Sequence, residues 1–212
     1  VEHPDAAPEL GEFLKLLQEQ TGRMSQMTKA LLEMSELRTI PCNDAIELAP
    51  LLEEVCTDLA PLAESKGISL VYDGDAAMVG SDTLVYRAVF NLTENAIRYS
   101  RPDTVVCLSA AEEGDRICLR VIDAGPGIPE QYRQSIFQPF FRVDKSRSRE
   151  HGGVGLGLAL VWEIAVLHGG TAQVEESSEN GTTMLIALPK RGTNSGDGVA
   201  HPAVDKNLKG DI

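Results

Sequence analysis

The stretch Arg87–Ser100 (RAVFNLTENAIRYS) constrains this chain more than any other. At helical spacing Arg87, Asn91, Asn95 and Arg98 share one face, because residues three and four apart are neighbours. Val85, Ala88, Val89, Leu92, Ala96 and Ile97 cover the faces that can meet a core. Amide oxygens are hard ligands that suit magnesium, and guanidinium groups suit phosphate. A magnesium nucleotide would use both. The alternative for this helix alone is a solvated polar face.

The chain downstream favours the ligand. Leu119–Asp123 reads as a buried strand running into Ala124-Gly125-Pro126-Gly127-Ile128-Pro129. An aspartate at a strand end, followed by glycines, can accept a hydrogen bond from an exocyclic amine such as that of adenine. Phe137–Asp144 (FQPFFRVD) follows, and Gly152–Val161 (GGVGLGLALV) then leads glycines into a helix. Glycine-rich entries to helix N-termini bind anions through free backbone N–H groups.

In this order and spacing the four boxes resemble the catalytic ATP-binding domain of sensor histidine kinases, in the superfamily that includes gyrase, Hsp90 and the mismatch-repair ATPases. The asparagine box is 91–99, the first glycine box 123–128, the phenylalanine box 137–142 and the second glycine box 153–158. The resemblance covers residues 48–190 and implies ATP and Mg²⁺ as cofactors. It implies that Asn95 gives its side-chain oxygen to Mg²⁺ and that Asn91 supports it one turn earlier. Asp123 would read the adenine amine, with Tyr99 and Ile128 against the base and Thr182 beside it. Gly125 and Gly127 would allow close approach. Gly153, Gly155, Leu156 and Gly157 would present backbone to the phosphates, while Arg98 and Arg142 neutralise charge during transfer. The catalytic set is thus Asn91, Asn95, Arg98 and Arg142.

Two positions depart from the family pattern: Arg98 stands where lysine is frequent, and Val154 where threonine is common. Asn91 separates the kinase branch from the ATPases, which carry a glutamate there. An amide cannot act as a general base. Glu94, one step round the helix from Asn95, reads as structural or solvated. The rivals to a kinase are a silent nucleotide-binding scaffold and an ATPase or serine kinase of the same superfamily.

Alternating and periodic segments give an α+β chain, a two-layer α/β sandwich, and the resemblance implies that it is of the Bergerat type. Its mixed, mostly antiparallel sheet carries three helices on one face and is preceded by a long helix. Expected helices are 9–37, 48–65, the asparagine-box helix and 155–167, and the resemblance implies a short one near 130–136. Expected strands are 68–72, 77–79, 104–110, 116–122, 171–174 and 183–188. The first long helix carries Leu10, Phe13, Leu17, Met24, Met27, Leu31 and Met34 as a heptad-like seam seeking a partner helix.

That helix and the linker at 38–47 resemble the second helix of the kinase dimerisation domain. Residues 1–47 are therefore read as a partial dimerisation domain, 48–190 as the catalytic domain and 191–212 as a disordered tail. The family's phosphoacceptor context is absent: His3 precedes Pro4 and lacks the following acidic residue. The chain reads as a piece of a larger parent. The resemblance implies a homodimeric parent anchored in the bacterial inner membrane, with a response regulator as partner and this part in the cytoplasm.

The formal net charge of −13 argues against a nucleic-acid binder, which needs a basic face. No apolar run is long enough to span a bilayer, so no membrane contact is expected of this part. Cys42, Cys56, Cys107 and Cys118 form no CxxC pair and indicate neither zinc nor a redox motif.

Overall fold

The structure, a computed structural model, describes residues 6–143 and 155–190. The expectations placed on His3, on Gly153 and Val154 and on the tail lie outside the described residues.

Helix α1 (Ala6–Glu36) leads, and a 3₁₀ turn at Leu37–Thr39 ends it. Strand β1 (Asp44–Glu47), helix α2 (Leu48–Glu64), strands β2 (Ser69–Asp73) and β3 (Ala77–Gly80) and helix α3 (Asp82–Tyr99) follow. Strands β4 (Val105–Glu113) and β5 (Arg116–Asp123), helix α4 (Gly157–Leu167) and strands β6 (Thr171–Ser178) and β7 (Gly181–Pro189) complete the chain.

The main sheet has the order β2-β4-β5-β7-β6, with β2 parallel to β4 and every other pair antiparallel. Val106, Leu108 and Ala110 on β4 alternate inward, as do Ile117, Leu119 and Val121 on β5 and Met184, Ile186 and Leu188 on β7. Helices α2, α3 and α4 close over that face, with α3 between the other two. Burying Leu84, Val85, Val89, Leu92 and Ile97 of α3 contributes on the order of 10 kcal/mol before entropy is counted. The opposite face carries the small cluster Cys118, Leu185 and Ala187, beside Arg120 paired with Glu113 and Glu175.

Three local expectations need correction. The strand at 77–79 does not join the main sheet; as β3 it pairs antiparallel with β1, inside the stretch read as a linker. Four residues of β1 are too short to leave a periodic signal. Leu37 and Ile46 of that stretch are buried in the same core as α3, so packing runs on across residue 47. The helix near 130–136 is instead two 3₁₀ turns, Glu130–Tyr132 and Ser135–Phe137, because Ile136 and Phe137 turn inward to the core. On α1, Leu10, Phe13, Leu17 and Met24 lie exposed, whereas Met34 packs against the core.

Candidate functional site

Helix α3 is fixed at both ends by side chains from other elements. Ser81 sits at its N-cap but makes no side-chain cap. The Ser81 backbone N–H donates instead to Nε2 of His168 at 3.0 Å, and that of Asp82 to Oδ2 of Asp44 at 3.3 Å. At the C-terminal end, Nζ of Lys66 donates to the carbonyls of Arg98 (2.8 Å) and Ile97 (3.3 Å). A cation there satisfies orphan carbonyls and complements the helix dipole. Burial, and then the nearby Arg98, push the Lys66 ammonium below its ordinary pKa.

Held in this way, α3 presents its polar face to the start of α4. A Cβ on Gly157, the first residue of α4, would lie 3.0 Å from Oδ1 of Asn91 and 3.6 Å from Nδ2 of Asn95. A side chain there would press the Asn91 amide aside by a few tenths of an ångström. Asn91 is held in turn by its Nδ2, which donates to the Arg87 carbonyl at 2.7 Å. The first-turn N–H groups of α4 lack intrahelical acceptors, so amides and free N–H groups converge on one space. Magnesium is bound by few protein oxygens plus phosphate oxygens, and a paired amide site fits that demand. Among the described residues no group of three or more His, Cys, Asp or Glu side chains could hold a metal.

Arg98 is partly committed: its Nη2 meets Oε1 of Glu94 at 2.8 Å, one turn back. That contact ties Glu94 to Arg98 on the half-exposed side of the helix.

The second part of the site lies at the C-terminal end of the same helix. From Asn91 to Tyr99 is about 12 Å along the helix axis. There the Ala124 N–H donates to Oγ of Ser100 at 3.3 Å, bringing the end of β5 to the end of α3. Oδ1 of Asp123 accepts the N–H groups of Gly125 (2.7 Å) and Thr182 (3.2 Å). Oδ2 accepts no hydrogen bond from the described residues. Burial raises the carboxyl pKa, against the two N–H donors. Tyr99 is exposed beside this corner, Ile128 is half-buried at the core's margin and Thr182 is buried.

Gly127 is needed by the protein itself. With φ at 78°, its Cβ would fall 2.0 Å from the Ser178 carbonyl oxygen. The close approach expected for a ligand is made here by the β6–β7 hairpin. Ser177 joins that hairpin to the first glycine box: its Oγ accepts the Ile128 N–H at 2.7 Å and lies 3.1 Å from Oγ1 of Thr182. Arg133 closes the corner, donating to the carbonyls of Ser177 (2.9 Å) and Ile128 (3.3 Å). The phenylalanine and second glycine boxes meet where the Phe140 N–H donates to the Gly155 carbonyl at 2.9 Å. Tyr132 packs on Phe141 at a centroid distance of 5.7 Å, Leu156 is buried, and Arg142 is half-buried and engaged.

The described residues thus bring together Asn91, Asn95 and Gly157, and separately Asp123, Gly125 and Thr182. Sequence reading missed Lys66, His168, Ser177 and Arg133 as supports. Their signals are single polar residues whose partners lie far along the chain.

Residues 80–192 match the family described as histidine kinase-, DNA gyrase B-, and HSP90-like ATPase. The chain belongs to this family. It is 32% identical over 183 residues to the sensor-like histidine kinase SenX3 of Mycolicibacterium smegmatis, across 84% of this chain and 48% of that protein. It is 34% identical over 181 residues to the sensor histidine kinase CpxA of Escherichia coli, across 83% of this chain and 39% of that protein. Among solved structures, the ATP binding domain of PrrB from Mycobacterium tuberculosis aligns with a TM-score of 0.56 at 30% identity, covering 71% of this chain and 98% of that one. The chain therefore spans about half or less of the curated relatives it matches. Family membership fits the layered sheet-and-helix fold, and the two curated relatives the chain resembles are sensor histidine kinases.

Proposed function

We propose that this chain is the ATP-binding catalytic part of a sensor histidine kinase, transferring the γ-phosphate of ATP to a histidine on a dimerisation helix for relay to a response-regulator aspartate. The observation that carries the reading is the approach of the Asn91 and Asn95 amides to Gly157 at the start of α4. Asn95, with Asn91 behind it, would hold Mg²⁺, which when bound screens the phosphate charges. The glycine-rich entry to α4, Gly153 to Gly157, would bind the phosphates through backbone N–H groups, and Asp123 would accept the adenine amine at Oδ2. Arg98 and Arg142 would balance charge on the transferring group.

The same face explains why ATP would be kept rather than hydrolysed. Asn91 cannot remove a proton from water, and Glu94 is held by Arg98 at 2.8 Å. Positioning and electrostatics then carry the transfer once an acceptor arrives. The exposed seam of α1 would pair with helices of a homodimeric parent, and residues 48–190 would act as the catalytic unit with 37–47 packed onto it.

Calorimetry with ATP or ADP, with and without Mg²⁺, tests the reading on this chain and on Asn95→Ala. Magnesium-dependent binding that the variant loses, with negligible steady hydrolysis and phosphate transfer to a supplied histidine helix, is expected. No binding by the folded parent would leave a scaffold, and brisk hydrolysis without acceptor an ATPase.

A further inference from the structure

We propose that His168 is a positioning residue for the nucleotide site, fixing the register of α4 along α3 and so the facing of Asn91 and Gly157. The inference deepens the proposed nucleotide site and rests on that reading for its consequence in binding.

His168 ends α4 and is fully buried, at 0% exposure. Its partners dictate one tautomer. Nδ1 lies 2.8 Å from the Ile164 carbonyl and must donate, whereas Nε2 receives the Ser81 N–H at 3.0 Å and must be bare. The imidazole lies against Gly80, where a Cβ would stand 2.8 Å from Cδ2 and 3.0 Å from Nε2. A side chain at position 80 would force the ring or the strand to shift.

Two contacts fix two rods. The first joins the start of α3 to the end of α4 through Ser81 and His168. The second lies ten residues on along α3 and eleven residues back along α4, where Asn91 meets Gly157. At 1.5 Å per residue these spans are about 15 and 16 Å, so the helices run antiparallel and a slip at the first contact is carried to the second. Ser81 is 1% exposed, so its N–H has no water to replace the imidazole. Shifting α4 to recover a partner would move Gly157 against Asn91, where the clearance is one missing methyl.

The test uses the chain as it stands, with His168→Asn and His168→Gln. Asparagine can mimic Nδ1 toward Ile164 but cannot reach Ser81. Glutamine places an oxygen where Nε2 was. In nucleotide-free His168→Asn, the Asn91 side-chain amide and Gly157 backbone amide NMR signals should shift. Its affinity for magnesium ADP should fall about tenfold, because Asn91 and Gly157 must be brought back into register on binding. His168→Gln should restore both signals and return affinity to within about threefold. Folded His168→Asn with unmoved signals overturns the inference, whatever the nucleotide does. Moved signals in a protein whose parent form binds no nucleotide support the register and remove the nucleotide reading instead. Imidazole ¹⁵N signals of the parent protein decide independently of any variant's folding: a protonated Nε2 overturns the inference.

Discussion

Thr182 donates its backbone N–H to Oδ1 of Asp123 across 3.2 Å, from the strand position paired with Asp123 itself. Gly125 donates to the same oxygen at 2.7 Å, so the carboxylate is oriented by two backbone groups, one local and one far along the chain. This arrangement leaves Oδ2 without a hydrogen bond from the described residues and keeps a carboxylate partly buried.

Asp123→Asn should therefore fold and lose nucleotide. An amide oxygen can replace Oδ1, while an NH₂ in place of Oδ2 would face a donor. The loss should be about 1.5–3 kcal/mol, or roughly ten- to a hundredfold in Kd by calorimetry.

The same variant makes a prediction about pH. The folded pKa of Asp123 is raised above the unfolded value near 3.9, so the folded state holds the proton more tightly. The resulting stability is complete below the unfolded pKa and is lost as pH rises through the folded pKa. Relative to the parent protein, Asp123→Asn should gain more Tm at pH 7 than at about pH 4. An equal difference at both pH values would contradict the assigned burial.

His168 has the opposite sign. Burial lowers its pKa, against the pull of the Ile164 carbonyl. The unfolded chain takes up the proton first, so stability should fall as pH drops below about 6.5 and level off below the folded pKa. Urea midpoints across that window should lose this component in His168→Gln.

Gly127→Ala should be among the most damaging single-methyl additions. Its Cβ would meet the Ser178 carbonyl oxygen at 2.0 Å with φ at 78°, so β6 must move. A loss of more than about 2 kcal/mol is expected by urea denaturation. Gly114→Ala has a similar φ of 66° but meets nothing within 4 Å, and should cost only about 1 kcal/mol.

Lys66→Met keeps the apolar stem and removes the cation from the end of α3. Losing its contacts to the Arg98 and Ile97 carbonyls should lower stability by about 1 kcal/mol. The deficit should shrink in high salt if the dipole term matters, and thermal melts at two salt concentrations read it directly.

The sequence by itself determined the helices with strong apolar faces, the alternating strands of the main sheet and the four boxes, because each is written in short-range periodicity or local spacing. The face shared by Asn91 and Asn95 belongs to this class, since helical geometry alone places residues four apart together. Tertiary structure alone decided which partner meets that face, and what holds α3 in place. Gly157 reaches Asn91 only because α4 packs antiparallel on α3. Ser81, Asp82 and Arg98 find their hydrogen-bond partners in His168, Asp44 and Lys66, which lie between 32 and 87 residues away. The linker became strand β1 for the same reason: its four residues pair only where β3 already stands. A buried polar group must find a partner, but its own sequence neighbourhood does not say which, so these choices appear only when the chain has closed on itself.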